Sequence, residues 1–142
     1  MRTVILTGDE LTVEEVVVVA YGRDIVVLVD EKAKQGIHAS RSYVEDAVDA
    51  GEVIYGLTTG FGYFKNVTID KDKTKELQRN IIVSHAVGVG RPISRATARA
   101  MMLIRANSLI KGYSGVRLEL IETVLACLNK DVYPYIDRKS VV

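Results

Sequence analysis

Two short stretches of the 142-residue chain, and a third that supplies mainly cations, hold residues whose types and spacing could do chemistry. The first is Tyr-Gly-Leu-Thr-Thr-Gly-Phe-Gly-Tyr-Phe over residues 55–64, with three glycines, two threonines and four aromatic rings in ten residues. A tyrosine on such a loop can act as a general acid or base. The ordinary pKa of a phenol is about 10, so it then needs cations or hydrogen-bond donors nearby. Tyr55, Phe61 and Tyr63 can equally pack the loop onto a core, and the glycines and threonines beside them predict loose packing. The second stretch is Ser84-His85, three residues before Gly88 and five before Gly90. A lone histidine on a helix face is ordinarily packed and hydrogen-bonded. Its place at a helix end beside two glycines also suits the rim of a cavity, whereas His38 lies in a polar stretch and reads as solvated. The third is Arg-Ala-Asn-Ser-Leu-Ile-Lys-Gly-Tyr-Ser-Gly-Val-Arg over 105–117, which gathers Arg105, Asn107, Lys111, Ser114 and Arg117 at a break. A helix end accounts for it, with Lys111 at the negative end of the dipole and Gly112 left-handed.

Several classes of function are disfavoured at once. Neither glycine cluster is a nucleotide cradle: residues 56–62 lack the Lys-Ser/Thr ending, and Gly88-Val-Gly-Arg-Pro92 follows a helix instead of opening one after a strand. Nineteen basic residues against eighteen acidic ones give a net charge of +1, with no bias toward nucleic acid or a membrane surface. One cysteine and two histidines make a metal site from this chain alone improbable. The solitary Cys127 has no internal partner and suits a reducing, cytoplasmic setting. No apolar run approaches the roughly 20 residues of a membrane span, and no signal-peptide pattern opens the chain.

The elements that must position these residues follow from pattern. Thr3–Thr7 is short, β-branched and stopped by Gly8, and Ile25–Val29 is continuously apolar; both predict strands, the second buried on both faces. Between them Thr12 and Glu15 have capping-box spacing, and Gly22 can close the helix they start. Asp30 is expected to cap a short helix stalling near Gly36. A second capping-box pair, Ser42 and Glu45, would start another that Gly51 closes, with Val53–Tyr55 extended after it. Asp72 or Thr74 is expected to cap a helix to about Val87, with Leu77, Ile81 and His85 on one face. Ser94 caps a helix of apolar three-and-four spacing, and a last one carries Leu118, Ile121, Leu125 and Leu128. The class expected is mainly α. A small α/β part over 1–70, with two or three strands, carries the 55–64 loop, and a helical part follows over 71–142. The last two helices are apolar on more than one face and call for further helices to cover them.

Four motifs in order, Tyr-Gly-Leu-Thr-Thr-Gly-Phe-Gly (55–62), Leu-Gln-Arg-Asn-Ile-Ile-Val-Ser-His-Ala-Val-Gly-Val-Gly (77–90), the 105–117 run and Leu-Asn-Lys-Asp-Val-Tyr-Pro-Tyr-Ile (128–136), resemble the N-terminal portion of the aromatic amino-acid ammonia-lyases and aminomutases, the histidine ammonia-lyases most closely. The resemblance covers nearly the whole chain. It implies a lyase-type helical bundle and elimination of ammonia from an aromatic amino acid, most simply histidine to urocanate. By position, Tyr55 matches the base that removes the β-proton, on a lid loop that includes Gly56, Thr59, Gly60, Phe61 and Gly62. His85 matches the residue beside the substrate ring, with Ser84 in the pair that sets ring selectivity. A homotetramer is implied, with helices 94–130 as the contact region. Tyrosine ammonia-lyases and aminomutases share much of the pattern.

One departure bears on cofactor chemistry. The family's electrophile, methylidene-imidazolone, forms by cyclisation of Ala-Ser-Gly, and that tripeptide does not occur among these 142 residues: Ala39-Ser40 precedes Arg41, and Ser114-Gly115 follows Tyr113. The expectation is a fragment of a lyase, a truncated product or a short paralogue that serves as an interaction module. In each case the isolated chain is expected to be inactive.

Overall fold

The structure is a computed structural model that describes residues 2–60, 62, 71–86, 88 and 90–137. Its elements run β1 (Arg2–Leu6), α1 (Val13–Tyr21), β2 (Ile25–Val29), α2 (Glu31–Asp49), α3 (Lys71–His85), α4 (Arg95–Ile110) and α5 (Leu118–Asn129). The fold is mainly helical, as the pattern predicts, with one small sheet of two strands among the described residues. Val53–Tyr55 adds no third strand: Tyr55 lies in a turn. Contacts group the residues into two compact units, Met1–Tyr43 with Val89–Val142, and Val44–Gly88, the boundary falling within α2.

In the larger unit β1 and β2 pair in parallel, Arg2 opposite Ile25 through Leu6 opposite Val29, with α1 as their crossover. The strand period of two puts Val4, Leu6 and Val27 on one face, where all are buried. Against the expectation for β2, its other face is not covered: Leu28 is 47% exposed and its neighbour Ile5 57%. α1 packs on α4, α4 on α5, and α5 on β2. Val19, Leu103, Ala106, Ile110, Ile121, Leu125 and Leu128 fill the core with the strands.

Helix ends follow local chemistry. The Thr12–Glu15 capping box forms in full, and Ser94 accepts from the Thr97 N–H. Gly22 ends α1 by donating to the Val18 carbonyl, in an extended conformation. Two expectations fail. α2 runs unbroken through Gly36, so Ser42 and Glu45 sit in mid-helix and start nothing. α3 begins at Lys71, so Asp72 and Thr74 lie inside it and not at its cap. At the break after α4, Gly112 is left-handed (φ 75°), and a Cβ there would stand 2.8 Å from the Gly36 backbone, so glycine is needed for conformation and for close approach.

Polar side chains stitch this unit together. Asn107 accepts from the Gly8 N–H (3.0 Å) and donates to its carbonyl (3.2 Å). Asn129 does the same for Val27, at 2.8 and 3.0 Å. Each side-chain amide thereby mimics a paired strand residue. Arg99, only 2% exposed, donates to the carbonyls of Val19 (3.0 Å) and Leu128 (2.8 Å) and to the Asp131 carboxylate (3.0 Å). Arg95 also pairs with Asp131, at 2.7 Å. The Arg95 hydrogen bond holds the Asp131 carboxyl below the usual carboxylate range. Asp131 is left-handed (φ 57°), the one described non-glycine residue that is.

Candidate active site

The sequence-predicted site residues Tyr55, Gly56, Thr59, Gly60, Ser84 and His85 all belong to the smaller unit, as does Gly62. Phe61, Tyr63 and Phe64 lie outside the described residues.

Tyr55 is 63% exposed, in a turn that follows α2. The Ile54 carbonyl accepts from the N–H groups of Leu57 (3.1 Å) and Thr58 (3.0 Å), which closes the turn. The Thr58 hydroxyl accepts from the Ile54 N–H (2.8 Å) and donates to the Glu52 carbonyl (2.6 Å). The Thr59 side chain is buried, and its hydroxyl accepts from the Gly56 N–H (3.2 Å) and donates to the Gly60 carbonyl (3.1 Å). Gly56 and Gly62 are left-handed, at φ 73° and 56°. The Gly62 N–H points at the Tyr55 hydroxyl oxygen from 3.4 Å. The two threonines tie the turn to its own backbone, while Phe61 and Tyr63, on which the expected loose packing also bears, lie outside the described residues. Sequence reasoning gives Thr58 no part of its own, although its hydroxyl makes two of the bonds that shape the turn. The available signal is a pair of adjacent threonines bracketed by glycines, since threonine hydroxyls readily bond nearby backbone.

Ser84 and His85 end α3 and are exposed, while Leu77 and Ile81 on the same face are half-buried. His85 is therefore not the packed core histidine that its helical spacing first suggests. Its Nδ1 lies 2.8 Å from the Ile81 carbonyl and 3.1 Å from the Ser84 hydroxyl, which itself donates to Ile81 (3.0 Å). A carbonyl only accepts, so Nδ1 carries the proton in this contact. A neutral His85 then presents Nε2 as an acceptor. Among the described residues no group of three or more His, Cys, Asp or Glu could hold a metal ion, and no helix is long and apolar enough to cross a membrane.

Residues 11–142 match the sequence profile of the aromatic amino acid lyases. The chain belongs to that family. It is 49% identical to a histidine ammonia-lyase of Caldanaerobacter subterraneus subsp. tengcongensis over 140 residues, 99% of this chain and 27% of that protein. Among solved structures, the histidine ammonia-lyase of Trypanosoma cruzi superposes with a TM-score of 0.87 at 35% identity, over 96% of this chain and 26% of that one. A tyrosine aminomutase from Streptomyces globisporus gives 0.89 at 37%, over 95% and 26%. The chain thus spans about a quarter of the length of these lyase-family relatives.

Proposed function

We propose that this chain is the base-bearing segment of an ammonia-lyase that eliminates ammonia from L-histidine to give urocanate. Tyr55, as its phenolate, takes the β-proton onto its oxygen and becomes the phenol, and His85 and Ser84 contact the substrate ring. In the complete lyase the methylidene-imidazolone makes the amine a leaving group. The residues of this chain bind, orient and move a proton only. The observation that carries the reading is the bond from His85 Nδ1 to the Ile81 carbonyl, which leaves Nε2 to accept from a ring N–H of substrate. A phenylalanine ring offers no such donor. A phenol hydroxyl does, and the likeness to a tyrosine aminomutase supports a second reading in which the substrate is tyrosine and the amine migrates. Assembly through helices 94–130, and action in the cytoplasm, belong to the same proposal.

The test is a chimera in which residues 1–142 replace the matched stretch of the Caldanaerobacter enzyme. The expected result is urocanate formation from histidine, with kcat lowered about 10²–10⁴-fold by Tyr55→Phe. His85→Ala should chiefly raise KM for histidine. A Tyr55→Phe chimera as fast as its parent overturns the base assignment. Release of a β-amino acid from tyrosine, without free ammonia, selects the aminomutase reading.

A further inference from the structure

We propose that Thr58 and Thr59 are positioning residues that fix the direction in which Tyr55 presents its phenol. The inference rests on the reading of Tyr55 as the base and concerns how that base is held. Tyr55 is 63% exposed, so the backbone on either side of it contributes to its direction beside its own polar contacts, the Gly62 N–H at 3.4 Å from the hydroxyl oxygen among them. On the N-terminal side of Tyr55, the Ile54 N–H ends on the Thr58 hydroxyl (2.8 Å); on the C-terminal side, the Gly56 N–H ends on the Thr59 hydroxyl (3.2 Å). Each hydroxyl also spends its one proton, Thr58 on the Glu52 carbonyl (2.6 Å) and Thr59 on the Gly60 carbonyl (3.1 Å). Two hydroxyl oxygens therefore hold the Val53–Ile54 peptide group, one removed from the base, and the Tyr55–Gly56 peptide group next to it, while the Ile54 carbonyl between them accepts from Leu57 and Thr58. Gly56 at φ 73° supplies the sharp bend between the clamps, a conformation that a residue with a Cβ adopts at a cost. Thr59 is 1% exposed, and a hydroxyl is buried without loss only when its bonds are made, as both are in this turn. Valine would fill nearly the same space and make neither bond; serine would restore the hydroxyl.

This arrangement changes what the glycines and threonines of the stretch do. The glycines permit the bend, and the threonines remove the freedom that the glycines would otherwise leave. A base displaced by an ångström or so loses much of its rate advantage, so the effect belongs in kcat.

The experiment has two arms. In the chimera, Thr58→Val and Thr59→Val should each lower kcat about 10–100-fold with KM within about twofold. Thr58→Ser and Thr59→Ser should recover most of the loss. In a Tyr55→Phe background the valine changes should add nothing, because they act through the phenol. In the 142-residue chain itself, the Ile54 and Gly56 amides should be protected from hydrogen exchange. Thr58→Val should release the first and Thr59→Val the second. Valine variants with the parent kcat overturn the proposal, and so do losses that serine does not restore. Fast exchange of both amides in the parent chain overturns it whatever the chimera does. If Tyr55→Phe keeps full activity, the base reading fails instead, which separates the two failures.

Discussion

Among the described residues, the larger unit has long-range side-chain bonds beside its local ones, whereas those of the smaller unit's site segments are local. In the larger unit the long-range bonds reach across the fold: Asn107 bonds a residue 99 positions away, Asn129 one 102 away, and Arg99 one 80 away. In the smaller unit the bonds described for Thr58, Thr59, Ser84 and His85 span seven residues or fewer, as does the contact from Gly62 to Tyr55. A long-range bond exists only once the tertiary fold has formed, so it belongs to global stability. A local bond sets one turn or one ring and can be lost with the rest intact. Stability should therefore be read from substitutions in the first set of residues, and chemistry from the second.

The largest expected effect tests the first half of that contrast. Leu103, with no exposed surface, sits in the core that joins α1, α4 and α5 to the sheet. Leu103→Ala should destabilise the chain by about 2–5 kcal/mol in urea unfolding. A loss under about 1 kcal/mol would mean that the unit is not held by this core. Somewhat smaller is Gly112→Ala, which sets a Cβ against the Gly36 backbone at 2.8 Å with a left-handed φ, and should cost about 2–4 kcal/mol. Its partner gives the control. A Cβ at Gly36 meets nothing within 4 Å, and the residue is inside α2, so Gly36→Ala should stabilise by about 0.5–1 kcal/mol. Equal effects from the two would show that the close approach of Gly112 is not what glycine serves there.

What the sequence makes legible follows the same contrast. Local signals work: Thr12 with Glu15, Ser94, and Gly112 all act as their residue types predict. So does the apolar stripe of α5, where Ile121, Leu125 and Leu128 are buried. Signals of the same kind mislead where a longer-range demand competes. Gly36 and the Ser42–Glu45 pair read as an interruption, yet α2 continues through them, with Ile37 beside Gly36 buried in the core. Leu28 reads as half of a doubly covered strand, but it and its neighbour Ile5 remain about half exposed. Asn107 and Asn129 could not be foreseen, since nothing local marks a side chain that will pair with backbone some hundred residues away. At the site, residue identities come from motif resemblance. The bonds of Thr58 and Thr59 to the backbone around Tyr55 come only from geometry, because a hydroxyl that ties a turn and one that merely tolerates it look alike in sequence.

The smallest effect tests whether a local bond in the larger unit behaves as local bonds do in the smaller one. The Thr12 hydroxyl accepts from the Glu15 N–H at 3.2 Å, and the Glu15 carboxylate accepts from the Thr12 N–H (2.9 Å) and hydroxyl (3.0 Å). Thr12→Ala should cost about 1 kcal/mol. The bond from the Thr12 N–H, and then that from its hydroxyl, hold the Glu15 carboxyl below its ordinary range. The folded chain thus binds that proton more weakly than the unfolded chain does. The resulting stability is complete above the ordinary carboxyl pKa and drains away as pH falls below roughly 4. Glu15→Gln carries no proton to exchange and should show a shallower loss of urea midpoint between neutral pH and pH 3 than the parent. Thr12→Ala, which keeps the backbone N–H, should fall between the two. If all three titrate alike, the box orients the start of α1 without coupling it to pH, and the division between local and long-range bonds holds inside the larger unit as well as between the units.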